Sequence, residues 1–300
     1  MPIQTLHELL NQSFPKSNRE SWAQKASQEL QGGDPLHALR WSTVDAGEFL
    51  PYYDSVSKGS LDYLNKFHFT PAPGSNPRTW ELLPKITVND FVKANTLALS
   101  YLGSGANGIF FDLCGTASLE LDTLLEGIEW PYCSISFRAS SEATICADLA
   151  AYVKKKKYDP AALHGNIFWE SIAHQVSGVM THLSPFSSFQ SSGIHVRTSS
   201  PSEEISQALW EATITLDTLI NLGTPIEEAL RNISLSLAAD TDFFVTMAKF
   251  RTMRILWYQV AQAYGVKSFL PSDLHIHVRS ERWINPSFQP HSNILKGTTA

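Results

Sequence analysis

Cysteine is scarce in this 300-residue chain, long apolar runs are absent, and positive charge is in the minority. The three cysteines, Cys114, Cys133 and Cys146, are odd in number and lack metal-ligand spacing, which excludes a disulfide framework and fits reduced thiols. Cys114 and Cys133 sit in apolar, strand-like runs and read as small buried hydrophobes. No run approaches the roughly 18 apolar residues that span a bilayer. Glu8, Lys16, Arg19 and Glu20 interrupt the first thirty residues, so no secretory apolar core is expected there, and the chain is expected in the cytoplasm. Lys and Arg number 23 against 29 Asp and Glu, a net charge of −6, which argues against sequence-independent nucleic-acid binding. The one basic run, Lys154 to Lys157, follows an apolar helical stretch and reads as a solvated helix C-terminus. A phosphate contact is its alternative. Glycine and proline, 16 each, are too few for a low-complexity chain, and 43% apolar content provides for a core.

What is present divides into an extension, residues 1–85, and a patterned region, residues 86–300. Helical spacing occurs over 4–12 and 19–31, where Ser17 or Asn18 caps the second helix and Gly32-Gly33 stops it. From Trp41 to Pro84 the chain is rich in proline, glycine, serine and aromatics, as a segment that wraps a surface would be. Beyond Ile86 short apolar strands alternate with helices. Strands are expected at 109–113, 132–137, 164–168, 188–196, 233–237 and 274–278, separated by helices including 201–222 and 242–264. Six such units imply right-handed crossovers and a parallel sheet. A doubly wound sheet and a (β/α)₈ barrel both satisfy this. No glycine-rich phosphate fingerprint follows the first strand. Ser134, Ser136, Ser234 and Ser236 alternate with apolar residues, which suits a polar barrel interior and favours the barrel. Six units fall two strands short of eight. The expectation is an incomplete barrel whose edges are covered by the extension, a second copy or a partner, or else a stretch of a longer subunit.

Several residues have the chemistry for a site. His195 closes the fourth strand, at the end where parallel barrels build active sites, and suits hydrogen bonding to a substrate carbonyl or a structural rim position. His275 and His277 share a strand face at a spacing some metalloenzymes use, yet only Asp112 and Glu281 offer themselves as further ligands, so no metal site is expected. Lys249, Arg251 and Arg254 lie in the middle of the last helix, where cations among apolar residues need an anion, either a ligand phosphate or solvent counterions. Phe243, Phe244, Met247, Ile255 and Leu256 read as that helix's packing face, and Asp240-Thr-Asp-Phe-Phe244 opens it with acidic capping chemistry.

The run Asp242-Phe-Phe-Val-Thr-Met-Ala-Lys-Phe-Arg-Thr-Met-Arg-Ile-Leu-Trp257 resembles a helix of the acyl-CoA mutases, above all methylmalonyl-CoA mutase. In order along the chain, Trp41-Ser-Thr43 through Pro51-Tyr52, Ser192-Gly-Ile-His195, and Ile276-His277 through Arg282-Trp283, Asn293-Ile-Leu295 and Thr298-Thr299 are similar to other segments of that family. The resemblance runs from about residue 19 onward. It implies a (β/α)₈ barrel threaded by the pantetheine arm of an acyl-CoA. It also implies a radical 1,2-rearrangement of (R)-methylmalonyl-CoA and succinyl-CoA that depends on adenosylcobalamin in a separate domain. By the same resemblance His195 is the retained family position, and His195, Lys249 and Arg251 are the candidate substrate contacts. The departures are equally specific. The family's tyrosine-bearing segment is replaced by Asn76-Pro-Arg-Thr-Trp-Glu-Leu-Leu83, its third strand becomes Asn166-Ile-Phe-Trp-Glu170, and the place of its substrate-carboxylate arginine falls near Gly178. No Asp-x-His-x-x-Gly cobalamin motif occurs in the sequence. This pattern resembles the small, non-catalytic subunit of heterodimeric mutases. It implies no cofactor on this chain, adenosylcobalamin in a catalytic partner, and roles for His195 and the Lys249 group that are chiefly structural. The alternative is a substrate-binding barrel that works with a separate cobalamin-binding polypeptide. A third reading is an unrelated metalloenzyme using His275 and His277.

Overall fold

Short apolar strands can satisfy their backbone only by pairing, and here seven of them do so in one parallel sheet. The structure is a computed structural model and describes residues 18–43, 47–53, 80–116, 119–140, 144–170, 176–198, 200–240 and 242–280. The expected helix over 4–12 and most of the irregular segment before Pro84 lie outside the described residues, as does Glu281. The chain divides into two units, Met1–Asn65 and Lys66–Ala300.

In the first unit, helix α1 (Arg19–Glu29) begins at Asn18, whose side chain accepts from the Ser21 N–H while Ser21 Oγ accepts from the Asn18 N–H. This reciprocal cap satisfies two of the end's free donors. No α1 residue is buried, and Trp22 stacks on Tyr52 at 5.1 Å. A one-turn helix α2 (Pro35–Ala38) leads into an antiparallel hairpin of β1 (Trp41–Thr43) and β2 (Gly47–Phe49), whose Trp41 and Phe49 rings stack at 4.4 Å.

The second unit is the barrel region. Its strands are β3 (Lys85–Thr87), β4 (Gly108–Asp112), β5 (Ser134–Ala139), β6 (Gly165–Trp169), β7 (Phe189–His195), β8 (Ile233–Ala238) and β9 (His275–Arg279), paired in that order and all parallel. The helices between them are α3 (Phe91–Gly103), α4 (Leu121–Leu124), α5 (Ile145–Lys156), α6 (Val176–Leu183), α7 (Pro201–Asn221), α8 (Ile226–Asn232) and α9 (Phe243–Ala263). The architecture is an incomplete (β/α)₈ TIM-type barrel. One strand more is present than the six read from the sequence. β3 has three residues and a single buried one, Ile86, so it carries no periodicity to detect.

Alternation places each strand's residues. Ile109, Phe111, Ile135, Phe137, Ile167, Trp169, Leu235 and Leu237 face the helices and join the main hydrophobic core. Phe110, Ser136, Asn166, Phe168, Ser234 and Ser236 are buried outside that cluster, on the inner face of the curl. The inward serines are as expected. Two residues of β6, Asn166 and Phe168, oppose Gln190 and Gly193 of β7, so β7 carries an extra residue, a β-bulge. The bulge brings both Gln190 and His195 inward although they are five positions apart. Gly193 is small by necessity: a Cβ there would lie 2.7 Å from Phe168 Cδ1 and closer still to the Ile167 carbonyl.

Helix α7 buries Glu204, Ala208, Ala212, Thr215, Leu216 and Leu219 on one face. Helix α9 differs from expectation. Its buried stripe is Thr246, Lys249, Met253, Trp257 and Ala261, whereas Phe243, Phe244 and Met247 are exposed, Phe244 by 74%. The buried face carries an ion pair, described below, beside the core residues Met253 and Trp257. Of the acidic residues at the start of the helix, Asp242 caps it, accepting from the Val245 N–H at 3.0 Å. Among the described residues no helix is long and apolar enough to cross a membrane.

Candidate functional site

The inner face of the curl carries three levels of side chains. At the N-terminal ends of the strands, Ser134 Oγ donates to Glu81 (2.6 Å), and Ser136 Oγ donates to Asn166 Oδ1 (3.3 Å), whose Nδ2 donates to Gln190 (3.0 Å). Ser192 Oγ and Ser234 Oγ are buried without a hydrogen-bond partner among the described residues.

The middle level is aromatic. The Phe110 ring of β4 lies parallel to the His277 ring of β9, with centroids 4.6 Å apart and planes 8° from parallel. Phe168 of β6 approaches both, at 6.0 Å from Phe110 and 5.2 Å from His277. These strands are not neighbours, so the three rings meet across the interior.

The third level, at the C-terminal ends, is ionic. Arg138 of β5 donates through Nη1 to Asp112 of β4 (3.0 Å) and through Nη2 to Glu170 (2.7 Å), and Lys85 lies 3.5 Å from Asp112. On the opposite side Glu204 of α7, fully buried, accepts from Lys249 Nζ (2.5 Å), Arg279 Nη2 (3.2 Å) and the Ala238 N–H (2.8 Å). Lys249 also donates to the Ala238 carbonyl. Two cations around one carboxylate are tolerated at this burial because each also has a neutral acceptor: the Ala238 carbonyl for Lys249 and the Val196 carbonyl (2.7 Å) for Arg279.

His195 sits inside this network. Arg279 Nη1 lies 2.7 Å from its Nε2 and 3.4 Å from its Nδ1, and Nδ1 lies 3.2 Å from Ser236 Oγ, which in turn is 3.0 Å from His277 Nδ1. A guanidinium only donates, so the nearer nitrogen, Nε2, suits the acceptor role, which directs an Nδ1–H to Ser236. Ser236 then accepts from His195 and donates to His277. Burial, followed by Arg279, Arg138, Arg197 and His277, holds the His195 pKa down to about 2. Burial, then His275, Arg279 and Lys85, holds His277 down to about 3. Both rings are neutral at physiological pH.

The candidate residues from the sequence therefore part company. His195 and Lys249 are joined through Glu204 and Arg279. Arg251 is exposed, two positions from Lys249 and so on the far side of α9. Arg254 donates to the Pro271 (3.1 Å) and Leu274 (2.6 Å) carbonyls. His277 is taken up in the aromatic level, and among the described residues no three His, Cys, Asp or Glu side chains converge as a metal site would need. Cys114 and Cys133 are only partly buried and Cys146 is buried; burial pushes their thiols up to about 12, 11 and 12, so none is a thiolate at neutral pH. Gly178, near the place of the family's carboxylate-binding arginine, lies in α6.

Arg279, Glu204, Arg138, Phe110 and Phe168 were not singled out in the sequence. Two carried a signal: Arg138 continues the inward Ser134, Ser136 alternation, and Glu204 stands four residues before Ala208 on the apolar stripe of α7. The other three depend on which strands meet across the curl.

A parallel α/β barrel with its histidine and charged groups gathered at the C-terminal ends of the strands belongs to the class of TIM-type barrels whose ligand chemistry is built at that end. Residues 138–300 match the family model of methylmalonyl-CoA mutase, and the chain belongs to that family. It is 26% identical to a protein named methylmalonyl-CoA mutase small subunit from Porphyromonas gingivalis, over 97% of this chain and 52% of that protein. It is 22% identical to a methylmalonyl-CoA mutase small subunit of Streptomyces virginiae, over 91% of this chain and 50% of that one. A methylmalonyl-CoA mutase of Cereibacter sphaeroides is 19% identical over 92% of this chain and 46% of its own length. The chain spans about half the length of these relatives.

Proposed function

We propose that this chain is a non-catalytic, small-subunit-type barrel. It supports a catalytic methylmalonyl-CoA mutase subunit, which binds adenosylcobalamin and interconverts (R)-methylmalonyl-CoA and succinyl-CoA in the cytoplasm. The observation that carries this reading is the stack of Phe110, His277 and Phe168 across the interior, at 4.6 to 6.0 Å. A pantetheine arm needs an unobstructed axis, and these rings stand on it. The ionic level above them is closed on itself: the carboxylates already hold cations, and His195 spends both ring nitrogens within the protein. The donor set does not suit a cobalamin either, since a cobalt ligand needs a free imidazole nitrogen on an accessible ring. His277 is instead held by Ser236 and packed against phenyl rings. The cofactor is accordingly assigned to the partner. The same stack weighs against a substrate-binding barrel that borrows a separate cobalamin polypeptide.

The test is co-expression with a cobalamin-binding mutase subunit. A stable heteromeric complex is expected by size-exclusion chromatography with light scattering, while the chain alone binds neither adenosylcobalamin nor acetyl-CoA in calorimetry. Tight binding of either molecule by the chain alone, or self-association with no heteromeric complex, would overturn the reading.

A further inference from the structure

The groups around His195 carry one step further, which rests on the reading of the barrel as closed to substrate. His195 stands where a barrel enzyme would offer an imidazole nitrogen to a ligand, yet that nitrogen is in use. Arg279 extends from β9 past β8 and reaches β7, where its Nη1 meets His195 Nε2 at 2.7 Å and its Nη2 donates to the Val196 carbonyl at 2.7 Å. The same Nη2 lies 3.2 Å from Glu204, which α7 contributes and Lys249 of α9 holds from behind at 2.5 Å. Arg279 and His195 are both at least nine-tenths buried. We infer that Arg279 is a built-in ligand of the His195 site: a positioning residue that fixes the imidazole as its Nδ1–H tautomer and fills the place an exogenous hydrogen-bonding ligand would take.

Three features fit this assignment. The guanidinium supplies donors only, so it satisfies a bare imidazole nitrogen, a carbonyl and a carboxylate at once, as no lysine or glutamine could. The fixed tautomer propagates, because Nδ1–H must donate to Ser236, leaving the serine proton for His277 and so tying the ionic level to the aromatic one. Finally, Glu204 provides the counter-charge that makes a buried guanidinium beside a neutral histidine tolerable.

The experiment uses the full chain. ¹⁵N NMR of the histidine side chains, assigned with His195→Gln, reads the tautomer. In the wild type His195 is expected to show one protonated and one bare ring nitrogen, unchanged from pH 5 to 8. In Arg279→Ala the bare-nitrogen resonance should shift, and millimolar guanidinium should move it back and raise the melting temperature, whereas methylammonium should not. Should Arg279→Ala fail to fold, Arg279→Lys serves: a single ammonium cannot reach the imidazole, the carbonyl and Glu204 together, so the resonance should still shift. An unchanged His195 spectrum in the folded variant, with no guanidinium rescue, overturns the inference and leaves the non-catalytic reading intact. A wild-type His195 resonance that moves on adding acetyl-CoA overturns both. Acetyl-CoA binding gained only in Arg279→Ala supports Arg279 as the occupant and overturns the aromatic stack as the barrier to substrate.

Discussion

Removing Glu204 should be among the most destabilising single charge deletions in the barrel. Its carboxylate holds Lys249, Arg279 and the Ala238 N–H at full burial. Glu204→Ala strands two buried cations and an amide, a change that typically costs about 3–5 kcal/mol. Lys249→Met loses two hydrogen bonds, to Glu204 and to the Ala238 carbonyl, but is milder because Glu204 keeps Arg279 and the amide, so a loss of about 1.5–3 kcal/mol is expected. The double variant Glu204→Ala/Lys249→Met removes both members of the closest pair, so its loss should fall short of the sum of the two single losses by about 2 kcal/mol. Urea titrations of the four proteins, followed by tryptophan fluorescence, supply the cycle, with Trp257 on the same stripe of α9 as Lys249 acting as a local reporter. Additivity within about 0.5 kcal/mol would refute the reasoning, since it would mean that the pair is not coupled and that something other than Glu204 balances Lys249.

Three further outcomes are expected. His195 is neutral when folded, with its pKa near 2 against 6.5 in the unfolded chain. Its contribution to stability is therefore fully present above pH 6.5 and falls below it by up to about 1.4 kcal/mol per pH unit; His195→Gln should reduce the slope of the urea midpoint between pH 6.5 and 4.5, leaving the part due to His277, and an unaltered slope would exclude His195 as a source. Phe110→Ala removes a buried ring from the stack and should cost about 3–5 kcal/mol, read as a lowered urea midpoint; a loss under about 1 kcal/mol would mean that the interior is not packed there. Asp242→Ala removes the cap of α9 and should cost about 1 kcal/mol in thermal unfolding, and a variant as stable as the parent would show the cap to be redundant.

The strand–helix alternation, the inward serines and the extent of α7 could be read from spacing, because each reports local geometry with a fixed period of two or 3.6 residues. The α9 face could not. Phe243, Phe244 and Met247 looked like its core because they are apolar, while the buried stripe includes Lys249, whose carboxylate partner lies 45 positions earlier. His195 was located correctly at its strand end, but its two ring partners lie on strands 41 and 84 residues away in sequence. The bulge in β7 escaped notice as well, since an extra residue appears only against a partner strand.

The amino-acid sequence alone determined that this chain alternates strand and helix, lines its interior partly with serine and resembles the methylmalonyl-CoA mutases. Those properties rest on local periodicity and on residue order, which a linear string preserves. Only the tertiary structure decided that the interior is crossed by Phe110, His277 and Phe168, and that His195 is held by Arg279 rather than offered to a ligand. Both depend on side chains from strands that are not neighbours in the sheet, and the curl of the sheet sets those distances.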